Sequence, residues 1–190
     1  YIAIYIYEPS LLEYPDASLR HQQFVYHSIA EMNRQFHPFG RKIFIFHAEA
    51  KEVFHHLSEE FEVENVFSQE ESGTQITWNR DKNIAAYFKQ MHVIWKEFPR
   101  DGVIRGIKNR QFWDKRWNLQ ACQEVIQNKF SKVIFEQLDH PFPLKANFEE
   151  QLKEYPESFQ QPGEEYAWKY LHSFCQDRGK HYHSHISKPL

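Results

Sequence analysis

The chain is short of glycine and cysteine, with six Gly and two Cys among its 190 residues. The cysteines, Cys122 and Cys175, are too few and too far apart for a disulfide framework or a structural zinc site. Both lie in apolar helical patterns, which predicts buried free thiols and a reducing, cytoplasmic setting. The few glycines form neither a GxGxxG nor a Walker sequence, so a dinucleotide site of the Rossmann type or a P-loop is not expected.

Long apolar runs are also missing. No stretch approaches the roughly 18 consecutive apolar residues of a membrane-spanning helix, and no secretory signal is recognisable. The formal net charge of −3 does not indicate a nucleic-acid-binding protein as a whole. The sequence starts inside a strand pattern without an initiator Met and stops as abruptly, so we expect it to be part of a longer protein.

Aromatic residues are abundant, at 17% of the chain, which indicates an aromatic core or a planar ligand. Apolar runs typical of strands alternate with helical periodicity in the first half of the sequence. Strands are predicted at 1–7, 42–47, 65–68 and 93–97, and helices at about 18–36, 48–61 and 79–91. This alternation predicts an α/β fold, a Rossmann-like parallel sheet with right-handed crossovers and flanking helices.

The architecture changes in the stretch 93–117. Basic residues there alternate with aromatic ones: Arg105, Lys108, Arg110, Phe112, Trp113, Lys115, Arg116 and Trp117. A salt-bridged surface is the favoured interpretation, and contact with an anion or nucleic acid stays open. Beyond it we predict a helix at 119–129, a proline-rich linker at 139–163 and a last helix at 164–178.

The candidate site residues lie where predicted strands end, because ligands of parallel sheets bind beyond the carboxyl ends of the strands. Glu8 follows the first strand, and Glu70 and Glu71 follow the third. With Asp81 the latter two form either an acid–base pair or, as the pattern favours, a solvated loop and a helix-start carboxylate. Arg20 lies in the first turn of its helix, where a cation is mildly unfavourable, so we expect a partner or ligand beside it.

Three histidines, His181, His183 and His185, alternate near the end of the chain and would share one face of a strand. A metal site needs a geometric set of ligands with supporting residues around it. Only polar residues flank these three, so we expect no metal site.

Four segments resemble the photolyase/cryptochrome family in their order and spacing. They are SLRHQQFVYHSIAEMNRQFHPFGRKIFIFHAEA from 18, NVFSQEESGTQITWNRDKNI from 65, GVIRGIKNRQFWDKRW from 102 and PGEEYAWKYLHSFCQDRGKHYHSHISKPL from 162. In the second segment, Arg80-Asp81 matches the family's Arg-Asp helix start, and in the first Arg20 matches a family arginine. The family's first strand and its flavin-binding stretch have no counterpart in the sequence.

The resemblance implies an N-terminal α/β antenna domain at 1–130, an interdomain linker at 131–163 and, at 164–190, the start of a helical FAD-binding region. The full protein would then be a light-dependent DNA photolyase, which repairs pyrimidine dimers by electron transfer from reduced FAD, while this part alone would be inactive. An antenna chromophore (a deazaflavin, flavin, lumazine or folate) would be held by Glu8, Arg20, Glu70 and Glu71. Damaged DNA would bind through the missing helical domain of a monomeric protein that has no membrane association.

Two other functions remain open at this stage. The same domain could belong to a cryptochrome-type blue-light photoreceptor, or the chain could be a stand-alone nucleotide-binding α/β domain, against which the missing glycine-rich loop counts. The resemblance also gives the basic aromatic stretch a packing role, so we expect Trp113 and Trp117 to be buried.

Overall fold

The computed structural model describes residues 1–99, 102, 106–133 and 137–185. Its four strands are β1 (Ala3–Ile6), β2 (Ile43–Phe46), β3 (Asn65–Gln69) and β4 (Ile94–Phe98). Its longer helices are α2 (Leu19–Phe36), α3 (Ala50–Glu60), α4 (Gln75–Gln90), α5 (Trp113–Ala121), α6 (Ala146–Lys153) and α7 (Glu164–Gln176). The short helices are α1 (Pro9–Leu12) and α8 (Tyr182–His185). Strands and helices therefore alternate up to β4, as the sequence predicts.

The sheet is smaller than predicted. In the described part of the chain the strands form two pairs, β1 with β2 and β3 with β4, instead of one continuous four-stranded sheet. Strands β3 and β4 run parallel in register from Asn65 opposite Ile94 to Gln69 opposite Phe98, with α4 as the crossover between them. Apolar runs reveal where strands lie but not which strands become neighbours, so the division into pairs was not predictable from the pattern.

The chain divides into two compact units. The first comprises 1–5, 14–47 and 131–190, and the second comprises 6–13 and 48–130. The domain boundaries inferred from the sequence, at 130 and 163, stay a prediction.

The core of the second unit forms around the inner face of α4. It contains the buried residues Ala50, Ile84, Tyr87, Phe88 and Val93. The Phe88 ring is 2% exposed and lies edge-on to Phe54 and Trp95, with centroid distances of 4.8 and 5.6 Å. Edge-to-face packing suits the charge distribution of aromatic rings. The high aromatic content thus builds much of this core.

Helix α2 is the longest helix described in the first unit. The helix ends where the sequence predicts, because Pro38 lies in a 3₁₀ turn and Gly40 follows with the left-handed φ of 65° that favours glycine. Asn33 of α2 then fixes the entry into β2, since its Oδ1 accepts a hydrogen bond from the Ile43 N–H at 2.7 Å.

Helix α6 was not predicted, because the sequence around it was interpreted as a linker. It packs on α2 through Leu152, which is fully buried. The Gln23 side chain of α2 also donates to the Gln151 carbonyl at 2.8 Å. This part of the presumed linker therefore contributes to the core of the first unit.

Two further predictions concerning burial are wrong. Trp113 and Trp117 are 41% and 43% exposed, because α5 buries none of its residues. Cys122 and Cys175 are exposed as well. Cys122 follows the end of α5, and Cys175 lies on α7, which likewise has no buried residue. The apolar pattern around these residues indicated helices, but it did not reveal that neither helix has a buried residue.

Two local assignments also change. The helix expected at 119–129 instead begins at Trp113 and ends at Ala121. The histidines expected on a strand lie in helical turns, His181 in a 3₁₀ turn and His183 in α8. Among the helices the structure describes, none is long and apolar enough to cross a membrane.

Candidate functional site

A cluster of four charged residues in the second unit is centred on Arg80, near the start of α4. Its guanidinium contacts three carboxylates: Nη1 lies 2.5 Å from Glu8 Oε1, Nε lies 2.8 Å from Asp81 Oδ1, and Nη2 lies 3.6 Å from Glu71 Oε2. The Glu8 side chain is 2% exposed, whereas that of Arg80 is 28% exposed. One arginine thus joins the segment between β1 and α1, the loop after β3 and its own helix.

Glu8 has a second partner. Its Oε2 accepts a hydrogen bond from the backbone N–H of Ala50, the first residue of α3, at 3.2 Å. A carboxylate at this position is favoured because the first N–H groups of a helix lack partners in the helix and carry partial positive charge. Burial of Glu8 is therefore compensated from two sides, by a guanidinium and by a helix N-terminus.

The protonation equilibria of Arg80 and Asp81 reflect their environment. Burial lowers the pKa of the Arg80 guanidinium, but the hydrogen bond and charge of Glu8, followed by those of Asp81, outweigh this effect and the pKa is raised. Burial raises the pKa of Asp81; Arg80 opposes the rise, and the charges of Glu71 and Glu97 add to it. Arg80 stays a fixed cation, while Asp81 binds a proton more readily than an ordinary aspartate.

The loop after β3 carries the two other predicted carboxylates. The N–H of Glu70 donates to the Phe98 carbonyl at 2.8 Å, which extends the contact between β3 and β4 by one residue. Glu71 Oε1 accepts from the Gly73 N–H at 2.5 Å. Both side chains are half-buried. The structure thus brings Glu8 and Glu71 together around Arg80. Glu70 precedes Glu71 in the same loop.

Arg20, the fourth predicted residue, belongs to the first unit. It lies in the first turn of α2, as predicted, and its guanidinium lies over the Phe159 ring, 4.4 Å from the centroid. The partner expected for this unfavourably placed cation is therefore an aromatic ring of the same unit. Arg20 is not part of the cluster around Arg80 in the second unit.

Two residues with distinctive environments were not in the predicted set. Arg80 was noticed as part of a motif, but its pairing with Glu8 spans 72 residues and has no local signal. His47 follows β2, at a strand end that the sequence did reveal. Its Nδ1 accepts from the Lys145 N–H at 3.4 Å, and burial, followed by the charge of Lys145, lowers its pKa.

The chemistry available at the Arg80 cluster is that of hydrogen-bond acceptors. Three carboxylates surround one guanidinium, so the cluster carries excess negative charge, which disfavours phosphates. The half-buried oxygens of Glu71 and Asp81 suit instead the N–H edge of a neutral heterocycle. Within the described ranges, no group of three or more His, Cys, Asp and Glu residues is placed to hold a metal ion.

An α/β chain with polar groups at its strand ends can be compared with known proteins. No family model matches the sequence, and no curated protein matches it. A solved structure does: an archaeal photolyase from Sulfolobus tokodaii, with a TM-score of 0.62 and 19% identity. That crystal structure contains two FAD molecules and implicates a novel light-harvesting cofactor.

The likeness covers 90% of this chain and 39% of the photolyase chain. At this level of identity it establishes the fold. The chain has the α/β fold of the N-terminal domain of photolyases, which confirms the predicted fold class and the family resemblance at the level of structure.

Proposed function

We propose that the chain is the N-terminal antenna-chromophore domain of a light-dependent DNA photolyase. The observation that supports this is the fold shared over 90% of the chain with a photolyase that carries two FAD molecules. In this proposal the whole protein is a monomer that repairs pyrimidine dimers by electron transfer from reduced FAD. The catalytic FAD binds to parts of the protein beyond this chain, and the damaged DNA binds mainly to those parts.

In this proposal the antenna chromophore binds at the cluster around Arg80 in the second unit. A light-harvesting chromophore takes part in no bond-breaking step, so the protein has only to bind it and fix its orientation. Glu71 accepts hydrogen bonds from the N–H edge of the ring system, and Glu70 borders the same position. Arg80 is held by Glu8 and in turn positions Glu71, 3.6 Å from Nη2.

Arg20 offers a separate contact in the first unit. Its guanidinium plane already lies over one aromatic ring, that of Phe159, and its side chain is exposed. Such a plane can stack on a second aromatic system or donate to a ring carbonyl. Arg20 is therefore tested independently of Glu71.

The absorbance spectrum of the natural protein that contains this chain tests the proposal. We expect the bands of FAD and a second near-UV or blue band from the antenna, together with repair of pyrimidine dimers under blue light. Flavin bands without repair would favour the cryptochrome-type photoreceptor. Absence of flavin, with ATP binding measured by calorimetry, would favour a stand-alone nucleotide-binding domain.

Substitutions in the same protein test the site. Glu71→Ala is expected to lower the ratio of second chromophore to FAD, because a ring N–H then lacks its acceptor. Arg20→Ala is measured in parallel. Glu59→Ala, which removes an exposed carboxylate paired with His55 on α3, is the matched control and should leave the ratio unchanged. A normal ratio in Glu71→Ala or in Arg20→Ala would remove that residue from the site.

A further inference from the structure

One surface of the second unit has a composition that the antenna function does not explain. We call it the α5 surface, and it consists of Lys108, Arg110, Trp113, Lys115, Arg116 and Trp117. All six side chains are exposed. Large exposed aromatic side chains grouped in this way are unusual on a protein surface unless they contact something.

The two indoles of the α5 surface are arranged as a pair. Trp113 and Trp117 are four residues apart on α5, so they share one helix face. Their ring centroids are 6.2 Å apart and their planes differ by 26°. Trp117 also lies close to Gly102, where a Cβ would be 2.9 Å from the Trp117 Cδ1. The pair therefore presents two nearly parallel planar faces.

The charge of the α5 surface is opposite to that of the whole chain. Between Gly106 and Trp117 there are four cationic side chains and one carboxylate, Asp114, whereas the chain carries a formal net charge of −3. The Lys115 ammonium lies 5.3 Å from the Phe112 ring centroid. None of the four cations forms an ion pair with a carboxylate of the described residues.

The backbone at the start of α5 adds a second observation. Phe112 has φ 61° and ψ 18°, the left-handed conformation that a bulky residue seldom adopts. Such strain persists where the surrounding structure enforces it, and it is concentrated at functional positions. In the sequence, Phe112 lies between the cations Lys108 and Arg110 and the two indoles of α5.

We propose that the α5 surface binds single-stranded nucleic acid. Bases stack on Trp113 and Trp117, and the four cations contact the phosphates. Proteins that bind single strands combine these two elements, aromatic platforms and a basic track. A single strand fits better than a duplex because duplex bases are already stacked on each other and cannot lie on an indole. The proposal does not depend on a chromophore and goes beyond the proposed antenna function.

The test uses the 190-residue chain and a fluorescein-labelled dodecamer of thymidylate. Binding is followed by anisotropy and by quenching of tryptophan fluorescence between 50 and 200 mM salt. We expect the logarithm of the binding constant to fall with the logarithm of the salt concentration with a slope of about −3, because four cations displace counterions from a single strand. The same assay is run with a duplex of equal length and with vesicles of phosphatidylcholine and phosphatidylserine.

Stacking and charge are tested by separate variants. Trp113→Ala and Trp117→Ala are each expected to weaken binding about tenfold. The double variant Lys115→Gln with Arg116→Gln removes two of the four cations, so the salt-dependence slope should become smaller in magnitude by about 1.4. Circular dichroism verifies that each variant is folded.

The chain provides matched controls on α7. Trp168 is 54% exposed, but its Nε1 donates to the carboxylate of Glu164 at 3.3 Å, so it offers an indole without a basic track. Trp168→Ala and Lys169→Gln should therefore leave binding unchanged. The proposal is overturned if the dodecamer does not bind, if Trp168→Ala weakens binding as much as Trp113→Ala, or if duplex or anionic vesicles bind more tightly than the single strand.

Discussion

Glu8 is a charged residue that the structure can bury because its two partners compensate the loss of water. The sequence indicated Glu8 by its position at the end of a strand, since that inference needs only the local pattern. It did not reveal the role of Arg80, because the pair joins residues 72 apart. For the same reason Glu71 was predicted as a site residue, but its contact with Arg80 was not. Local signals thus found the carboxylates but not their organising cation.

Replacement of Glu8 tests how much the buried pair stabilises the chain. In Glu8→Ala, Arg80 loses its closest partner and the Ala50 N–H loses its acceptor. We expect a decrease in the free energy of unfolding of about 2 kcal/mol, less than for a fully buried pair because Arg80 keeps Asp81 and is partly hydrated. Urea denaturation gives the value.

Glu71→Ala is the matched control for this measurement, because it removes a more exposed and more distant carboxylate from the same guanidinium. We expect it to cost less than about 1 kcal/mol. Equal losses in the two variants would contradict the dominant role of Glu8.

At the scale of elements, periodicity predicted most of the helices and all four strands. Helices α2, α3 and α4 have apolar residues at regular helical spacing, and Pro38 with Gly40 ends the first of them as predicted. Periodicity does not predict helix α6, because the helix is only eight residues long, follows Pro141 and Pro143, and buries a single residue, Leu152. Strand pairing is not predictable from the local pattern, because tertiary packing determines which strands are neighbours within a sheet. The wrong expectation for Trp113 and Trp117 has a related cause, since an apolar pattern does not specify what covers it.

Replacement of Leu152 tests the packing of α6 on α2. Leu152→Ala leaves a cavity where the helix packs on α2, so we expect a loss in the free energy of unfolding of about 3 kcal/mol. Leu119→Ala on α5 is the matched control, because Leu119 is 74% exposed and should change stability by less than about 0.5 kcal/mol. Thermal or urea unfolding measures both. If Leu152→Ala were as neutral as Leu119→Ala, α6 would not be docked as described.

At the scale of the whole molecule, the fold was predictable chiefly through the order and spacing of four segments. Composition and periodicity alone led to an α/β domain, and the resemblance specified which kind. The comparison with the Sulfolobus tokodaii photolyase bears out that resemblance at 19% identity, a level at which individual side chains are poorly retained. This is why the fold could be predicted, whereas the pairing of Arg80 with Glu8, the environment of His47 and the exposure of Trp113 and Trp117 needed the structure. Net charge shows the same limit, because the overall value of −3 concealed a basic surface.

The stability of the whole chain against acid depends in part on His47, one of twelve histidines. Its pKa in the folded state lies below the ordinary value of 6.5, so below that pH the unfolded chain binds the proton more readily. The free energy of unfolding therefore falls as pH decreases through this range. We expect His47→Gln to show a shallower fall than the original chain between pH 7.5 and 5, measured by urea denaturation. Parallel curves would show that His47 does not contribute.

The arrangement of β3, α4 and β4 has a consequence for the order of folding. All three come from one continuous stretch, 65–98, and their parallel pairing with its crossover closes a short loop. The contact between Glu8 and Arg80 closes a much longer one, and contacts of long range in sequence form slowly. We therefore expect Glu8 to dock after the transition state. Glu8→Ala should then accelerate unfolding in stopped-flow experiments and leave the refolding rate nearly unchanged. An unchanged unfolding rate in Glu8→Ala would contradict this order, in which the salt bridge forms after β3, α4 and β4 have paired.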